Sequence, residues 1–152
     1  MRNIVVVLGA AVVAILSGCA SWFLRGAEMA GRAPAAPTAV YTAPMCGLTN
    51  GQVVSGPSAT YYLAEEAEGT ILYEIESNGR GARITNRWVD ENGTWFFVWV
   101  GNGPGWQYYF PVDPAQPPIR LAFDAGTYSG DRSTGVTRPV GAPSATCVMQ
   151  RR

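Results

Sequence analysis

Residues 69–90 read GTILYEIESNGRGARITNRWVD and carry the clearest strand signal in the chain. On both sides of Asn78-Gly79, β-branched and aromatic residues alternate with charged ones, a pattern typical of a hairpin around a two-residue turn. A type I′ turn centred on Asn78-Gly79 pairs charge with charge and apolar with apolar. The predicted cross-strand pairs are Glu74 with Arg83, Tyr73 with Ile84, and Ile75 with Ala82.

This register divides the hairpin into a face towards a core and a face towards water. The predicted core face comprises Ile71, Tyr73, Ile75, Ile84 and Trp88, with Asn86 as an exception. The predicted water face comprises Glu74, Glu76, Arg83, Thr85 and Arg87, with Leu72 as an exception.

The rest of the chain from Gln52 onward follows the same style of short strands. Runs of β-branched and aromatic residues are separated by Gly, Asn and Pro, and no stretch of ten residues has a helical period. The sequence therefore predicts an all-β domain over residues 46–152, a small antiparallel β-sandwich or a barrel-like meander.

The second turn, Asp90 to Thr94, leaves two registers open. A two-residue Asn92-Gly93 turn places Trp95, Phe97 and Trp99 on the core face, whereas a three-residue Glu91-Asn92-Gly93 loop places Phe96, Val98 and Val100 there. Both registers bury apolar side chains, so the sequence does not decide between them.

The following strand, GWQYYFPV, points Trp106, Tyr108 and Phe110 one way and Gln107 and Tyr109 the other. Because both faces of the hairpin 95–110 are largely apolar, two interpretations are open. The strands are central and buried on both sides, or one face is an exposed aromatic strip that binds a glycan or a protein. The candidate binding surface in the second case comprises Phe96, Val98, Trp106, Tyr108 and Phe110.

The composition excludes several classes of function. Lys plus Arg balance Asp plus Glu at 11 each, so no long-range field attracts nucleic acid. The chain has no His and all its basic residues are Arg, which removes His-based catalytic triads, imidazole metal ligands and Schiff-base lysines. We predict no cofactor and no metal.

The first residues have the three parts of a secretory signal: a charged start, an apolar run from Ile4 to Leu16, and small residues. An uncleaved anchor continuing to Leu24 is the alternative, but the run is short for a membrane span. The tetrapeptide Leu16-Ser17-Gly18-Cys19 resembles the lipobox of bacterial lipoproteins.

This resemblance implies that residues 1–18 are a signal peptide that is removed and that the Cys19 thiol carries diacylglycerol. Two or three acyl chains hold a small domain on a membrane almost irreversibly. The family pattern also implies the outer membrane, facing the periplasm, because Ala20 rather than Asp follows the cysteine.

Residues 19–45 are rich in Ala and Pro and are predicted to form a flexible tether, with an r.m.s. reach of about 30 Å. Cys46 and Cys147 bracket everything predicted to fold, and an exported chain meets an oxidising compartment. We therefore expect a disulfide between them, with two buried free thiols as the alternative.

Two further groups suggest weaker sites. Glu65, Glu66 and Glu68 form an acidic cluster, which is more often a solvated loop than a catalytic or calcium site. The stretch from Asp124 to Asp131 has several oxygen donors but lacks the spacing of a calcium-binding loop.

The sequence leads us to expect a non-enzymatic, lipid-anchored envelope protein that acts as a binding or structural accessory module. The alternative is a glycan-binding, protein-binding or inhibitor domain that uses the aromatic hairpin 95–110. A hydrolase that depends on carboxylates ranks third. The expected partners are the membrane, through the lipid anchor, and an envelope protein or glycan, with no nucleic acid.

Overall fold

The computed structural model describes residues 27–28, 32–99, 104–124, 128–131, 136–139 and 141–152. Every regular element among them is a β-strand. The strands are, in chain order, β1 (Ala27–Glu28), β2 (Ala39–Leu48), β3 (Val53–Ser55), β4 (Ala59–Glu66), β5 (Gly69–Glu76), β6 (Gly81–Ile84), β7 (Arg87–Val89), β8 (Gly93–Trp99), β9 (Gly105–Pro111), β10 (Ile119–Phe123), β11 (Tyr128–Asp131), β12 (Val136–Pro139) and β13 (Ala145–Arg151).

The strands form an antiparallel, nearly closed barrel, which confirms the prediction of an all-β fold. The order of neighbouring strands around the sheet is β6, β5, β4, β2, β13, β10, β9, β8 and β7. Most wall strands therefore pair with the wall strand that precedes or follows them in the chain. Residues 81–89 bring the two edges together, because β6 pairs with β5 while β7 pairs with β8. Between them, the carbonyl of Asn86 accepts a hydrogen bond of 3.0 Å from the Phe97 amide. Separately, β3 pairs with β2, and β11 and β12 form a hairpin of their own.

A disulfide between Cys46 and Cys147 fastens β2 to β13. The two cysteines lie opposite each other in the register of the strands that begin and end the barrel wall. Both sulfurs belong to the interior core, where Cys147 is fully buried. The bond therefore ties the first and last wall strands together from inside the barrel.

The barrel begins earlier than the sequence predicted. Strand β2 starts at Ala39, and the short strand β1 pairs with β6, so parts of the predicted tether 19–45 belong to the sheet. The Ala- and Pro-rich composition favoured a tether up to residue 45, since a central strand ladder normally excludes a proline such as Pro44, but β2 already includes residues 39–45.

Pro44 is accommodated by a β-bulge. The register of β2 against β13 shifts by one residue here, so Ala43 and Pro44 together lie opposite Met149. A bulged residue makes no ladder hydrogen bond, and proline has no amide proton to donate. The extra residue also changes the alternation of β2, which lets both Ala43 and Cys46 point into the core.

The register predicted for the β5–β6 hairpin is wrong by one residue. Leu72 lies opposite Ile84, and Tyr73 lies opposite Arg83. The turn is a three-residue loop, Ser77 to Gly79, in which Gly79 has a positive φ of 82°. Among the described residues no non-glycine residue has positive φ, and a type I′ turn requires one at Asn78.

This shift exchanges the two predicted faces of β5. Leu72, predicted to face water, packs in the main core with Ile84, whereas Ile71 and Tyr73 form a smaller cluster on the outer face. Glu74, also predicted to face water, alternates in phase with Leu72 and therefore points into the barrel.

The second turn follows neither of the two open registers. Val89 pairs with Thr94, and the Asp90 amide donates to the Gly93 carbonyl at 3.0 Å, so Glu91 and Asn92 are the turn residues. The Asp90 carboxylate accepts hydrogen bonds from the amides of Asn92 and Gly93, which stabilises this tighter turn.

Two residues of β8, Phe96 and Val98, lie on the core face that the three-residue alternative predicted. Phe96 is fully buried in the core, and Val98 packs against it. Trp95 stacks on Tyr109 on the outer face, with ring centroids 4.2 Å apart. The Trp99 side chain and Val100 lie outside the described part of the structure.

Removing the disulfide should destabilise the barrel substantially. The bond joins residues separated by 101 positions, and loss of such a crosslink typically lowers the free energy of unfolding by about 2–5 kcal/mol. The Cys46→Ala/Cys147→Ala variant should show this loss in urea denaturation. Wild-type protein measured with and without reductant is the control, because it keeps both side chains. Equal stability in the two conditions would contradict the crosslink.

Candidate functional site

The most unusual feature of the barrel is a pair of charged side chains inside it. Glu74 reaches the interior from β5, and Arg120 reaches it from β10, where it lies opposite both Tyr108 and Cys147. The side chain of Glu74 is 17% exposed and that of Arg120 is 10% exposed. Charged groups are rarely buried to this degree unless they are paired or serve a function.

Two tyrosines hold the Glu74 carboxylate. The hydroxyl of Tyr108 donates to Oε2, and the hydroxyl of Tyr61 lies 3.4 Å from Oε1. The two tyrosine rings also pack against each other, with centroids 5.6 Å apart. Each carboxylate oxygen therefore accepts a hydrogen bond from a different tyrosine.

Burial raises the pKa of both hydroxyls well above the usual tyrosine value, and the nearby negative charge of Glu74 adds to this effect. Both groups stay protonated at neutral pH. Tyr61 and Tyr108 therefore act as hydrogen-bond donors that stabilise a buried carboxylate.

The contacts of the Arg120 guanidinium are mainly with aromatic rings rather than with carboxylate oxygens. Its guanidinium carbon lies 5.5 Å from the Trp106 ring centroid and 5.7 Å from that of Tyr108. Its Nη2 is 4.0 Å from Glu74 Oε1, too long for a hydrogen bond. Its Nε is buried and has no hydrogen-bond partner in the described part of the chain.

A cavity of about 480 Å³ leads from solvent to these two charges. At its outer end lie Ser77, Asn78 and Arg80 of the β5–β6 turn, which are exposed, and at its inner end lie Glu74 and Arg120. The remaining lining residues are mostly small or apolar: Pro57, Ser58, Ala59, Glu76, Gly81, Ala82, Val98 and Trp106. The barrel is thus packed over part of its interior and open at one end.

The aromatic strip predicted as a candidate binding surface lines the interior of the barrel. Phe96, Tyr108 and Phe110 are buried, and Val98 and Trp106 are half-buried against the same core. The interpretation as an exposed strip is therefore wrong for this face. Val98 and Trp106 contribute instead to the wall of the cavity.

The predicted acidic cluster is partly neutralised on the outer surface. Arg83 forms ion pairs with both Glu66 and Glu68, and Tyr73 donates to Glu66. Hydrogen bonds from Arg83 and Tyr73 hold the pKa of Glu66 below its usual range. Glu65 accepts a hydrogen bond of 2.7 Å from Thr70.

Among the described residues no group of three or more Cys, Asp or Glu side chains is arranged to hold a metal. The calcium candidate from Asp124 to Asp131 includes residues 125–127, which lie outside the described residues.

Cys19 and the whole lipobox also lie outside the described residues. Within the described ranges, we find no helix with the length and hydrophobicity needed to span a membrane. Comparison with known proteins gives no family assignment, because no family model, curated protein or solved structure matches the chain significantly.

Sequence reasoning missed Glu74, Tyr61 and Arg120 as site residues. The signal for Arg120 is visible in hindsight as one charge within the apolar strand Ile119–Phe123. The signal for Glu74 is Leu72, whose place on a predicted water face was inconsistent with its hydrophobicity.

The Tyr108 hydroxyl should stabilise the barrel through Glu74. The Tyr108→Phe variant removes a donor to a buried charge, so the free energy of unfolding should fall by about 1.5–3 kcal/mol in urea denaturation. Tyr109→Phe is a matched control from the same strand, because its hydroxyl donates at 2.9 Å to the carbonyl of Asn92 at an exposed turn. Similar losses in the two variants would contradict the special role of Tyr108.

Proposed function

We propose that this chain is a lipid-anchored binding protein of the bacterial cell envelope, whose barrel holds a small ligand in its open cavity. The observation that carries the proposal is Arg120, a buried guanidinium at the inner end of a solvent-open cavity, whose Nε has no hydrogen-bond partner among the described residues. Barrels of about eight strands either fill with side chains or retain space for one small ligand.

A purely structural barrel gives no reason for this arrangement. Replacing buried ion pairs by apolar residues of similar volume is often neutral or stabilising. Arg120 and Glu74 do not even form a direct hydrogen bond, since Nη2 and Oε1 are 4.0 Å apart. Two buried charges that do not bond to each other are better explained by a ligand that binds beside them in the cavity.

Binding without catalysis fits the chemistry of the site. Both oxygens of Glu74 accept hydrogen bonds from tyrosines, so this carboxylate is occupied rather than poised as a general base. The chain has no histidine to take that role. We therefore favour a binding module over a hydrolase.

The location of the protein follows from the leader. Lipidation of Cys19 places the barrel at a membrane surface, and the outer membrane facing the periplasm is the compartment that Ala20 favours. A disulfide in the folded domain is consistent with an oxidising envelope compartment.

Blocking the cavity should abolish ligand binding. The test uses two naphthalene probes of similar shape, anionic 1-naphthoate and neutral 1-naphthamide. Because one probe is charged and the other is not, the test detects binding whichever ligand charge the cavity prefers. We expect saturable binding of at least one probe to the full-length protein in lipid nanodiscs, measured by titration calorimetry against empty nanodiscs. Val98→Trp fills the cavity wall and should abolish this binding, as should Ala82→Phe from another wall strand.

Val89→Trp is the matched control, because Val89 is 61% exposed and does not line the cavity. It should bind the probes as the wild type does. The proposal fails if neither probe binds the wild-type protein, or if both blocked variants fold and bind normally.

The anchor is tested separately. In cells fed radioactive palmitate, the wild-type protein should be labelled and the Cys19→Ser variant should not. The Cys46→Ser/Cys147→Ser variant should keep the label, because these cysteines form the disulfide. Label that persists in Cys19→Ser would overturn the lipoprotein assignment.

A further inference from the structure

We infer that the ligand of the barrel cavity is a small carboxylate with an apolar body, whose carboxylate binds Arg120 and whose body packs against Val98 and Trp106. This inference rests on the proposed function and specifies the chemical class of the ligand.

The first argument is the surplus of donors on Arg120. A guanidinium carries five N–H donors in a planar fork and has no acceptor. In the described part of the chain Nε has no partner, and the nearest carboxylate oxygen lies 4.0 Å from Nη2. The residue is 8% exposed and borders the solvent-open cavity, a space that water or a ligand can enter. The group that suits the cavity at Arg120 is therefore a hydrogen-bond acceptor.

The second argument is that Glu74 does not supply that acceptor, because Tyr61 and Tyr108 hold its carboxylate too far from Arg120 for a hydrogen bond. Each tyrosine hydroxyl engages a different carboxylate oxygen, and this fixes the carboxylate beside the guanidinium at ion-pair distance. Glu74 thus acts as a counter-ion for Arg120 without a direct hydrogen bond to it. Arg120 lines the cavity and has only donors, so it suits a planar group with two oxygens, the geometry that arginine binds best.

The third argument concerns the rest of the cavity. Above the two charges, its wall includes Ala59, Ala82, Val98 and Trp106, which offer apolar contact rather than hydrogen bonds. A sugar needs several acceptors as well as donors around its ring, and the inner acceptors belong to the occupied carboxylate of Glu74. A ligand with one anionic end and an apolar body satisfies both parts of the cavity.

The naphthalene probes test this inference directly, because 1-naphthoate and 1-naphthamide differ in charge but hardly in shape. We expect 1-naphthoate to bind the wild-type protein about tenfold more tightly or better, since its carboxylate accepts charge-assisted hydrogen bonds. Comparable affinities for the two probes would overturn the inference while leaving the binding function intact. Absence of binding by both probes would instead overturn the proposed function.

Variants at the two charges give a signature that a structural role would not produce. Glu74→Gln removes the negative charge near the ligand, so affinity for 1-naphthoate should rise while affinity for 1-naphthamide stays unchanged. Adding Arg120→Met to Glu74→Gln removes both charges together and avoids leaving one buried and unpaired. This double variant should lose the preference for 1-naphthoate.

Arg80→Met is the matched control, because Arg80 lies at the exposed end of the same cavity. It should reduce binding of 1-naphthoate much less than the double variant. An equal loss in Arg80→Met, or a fall in 1-naphthoate affinity in Glu74→Gln, would contradict the assignment of Arg120 as the carboxylate-binding residue.

Discussion

The three-residue loop Ser77 to Gly79 determines which side chains enter the barrel. In this loop Gly79 has a positive φ and Asn78 does not, and the loop places Leu72 opposite Ile84. A strand has a side-chain period of two, so a slip of one residue exchanges every inward side chain for an outward one. In the alternative register Glu74 would lie in water, and the barrel would contain Tyr73 instead. The polar interior of this protein therefore depends on the geometry of one turn.

Once Glu74 is inside, the neighbouring strands must compensate for its charge. Removing a carboxylate and a guanidinium from water costs several kcal/mol for each ion. The barrel offsets this with two tyrosine hydroxyls on Glu74 and two aromatic rings around Arg120. Tyr61 comes from β4, which precedes β5 in the chain and pairs with it, whereas Trp106 and Tyr108 come from β9, which is distant from β5 in the sequence. Glu74 accepts a hydrogen bond at each oxygen, whereas Nε of Arg120 has no partner among the described residues, and this asymmetry gives the cavity its chemical character.

Alternation and cysteine placement made the general fold predictable. Trp106, Tyr108 and Phe110 point inward, as the period of two in a strand requires. Cys46 and Cys147 meet where the first and last wall strands, β2 and β13, pair. Local signals failed where a tertiary contact decided the outcome. Asn78-Gly79 suits a type I′ turn and a bulged three-residue loop almost equally, and only the packing of Leu72 selects the second. Pro44 concealed β2 because the bulge that accommodates it exists only against β13. Arg120 stands out as a charge within an apolar strand, but its role could not be inferred because its partners come together only in the folded barrel.

The pairing of β1 with β6 has a consequence for how the protein stands on a membrane. Ala27 lies opposite Ile84 and Glu28 opposite Arg83, so the chain enters this pair from the end of β6 remote from the β5–β6 turn. Under lipidation at Cys19, the attachment point and Ala27 are eight positions apart (27 − 19), which spans at most about 29 Å of extended chain. Attachment at this end of the barrel would favour an orientation in which the cavity opening, at the β5–β6 turn, faces away from the lipid headgroups. Such an orientation makes the cavity accessible to solutes of the surrounding compartment rather than to molecules within the bilayer.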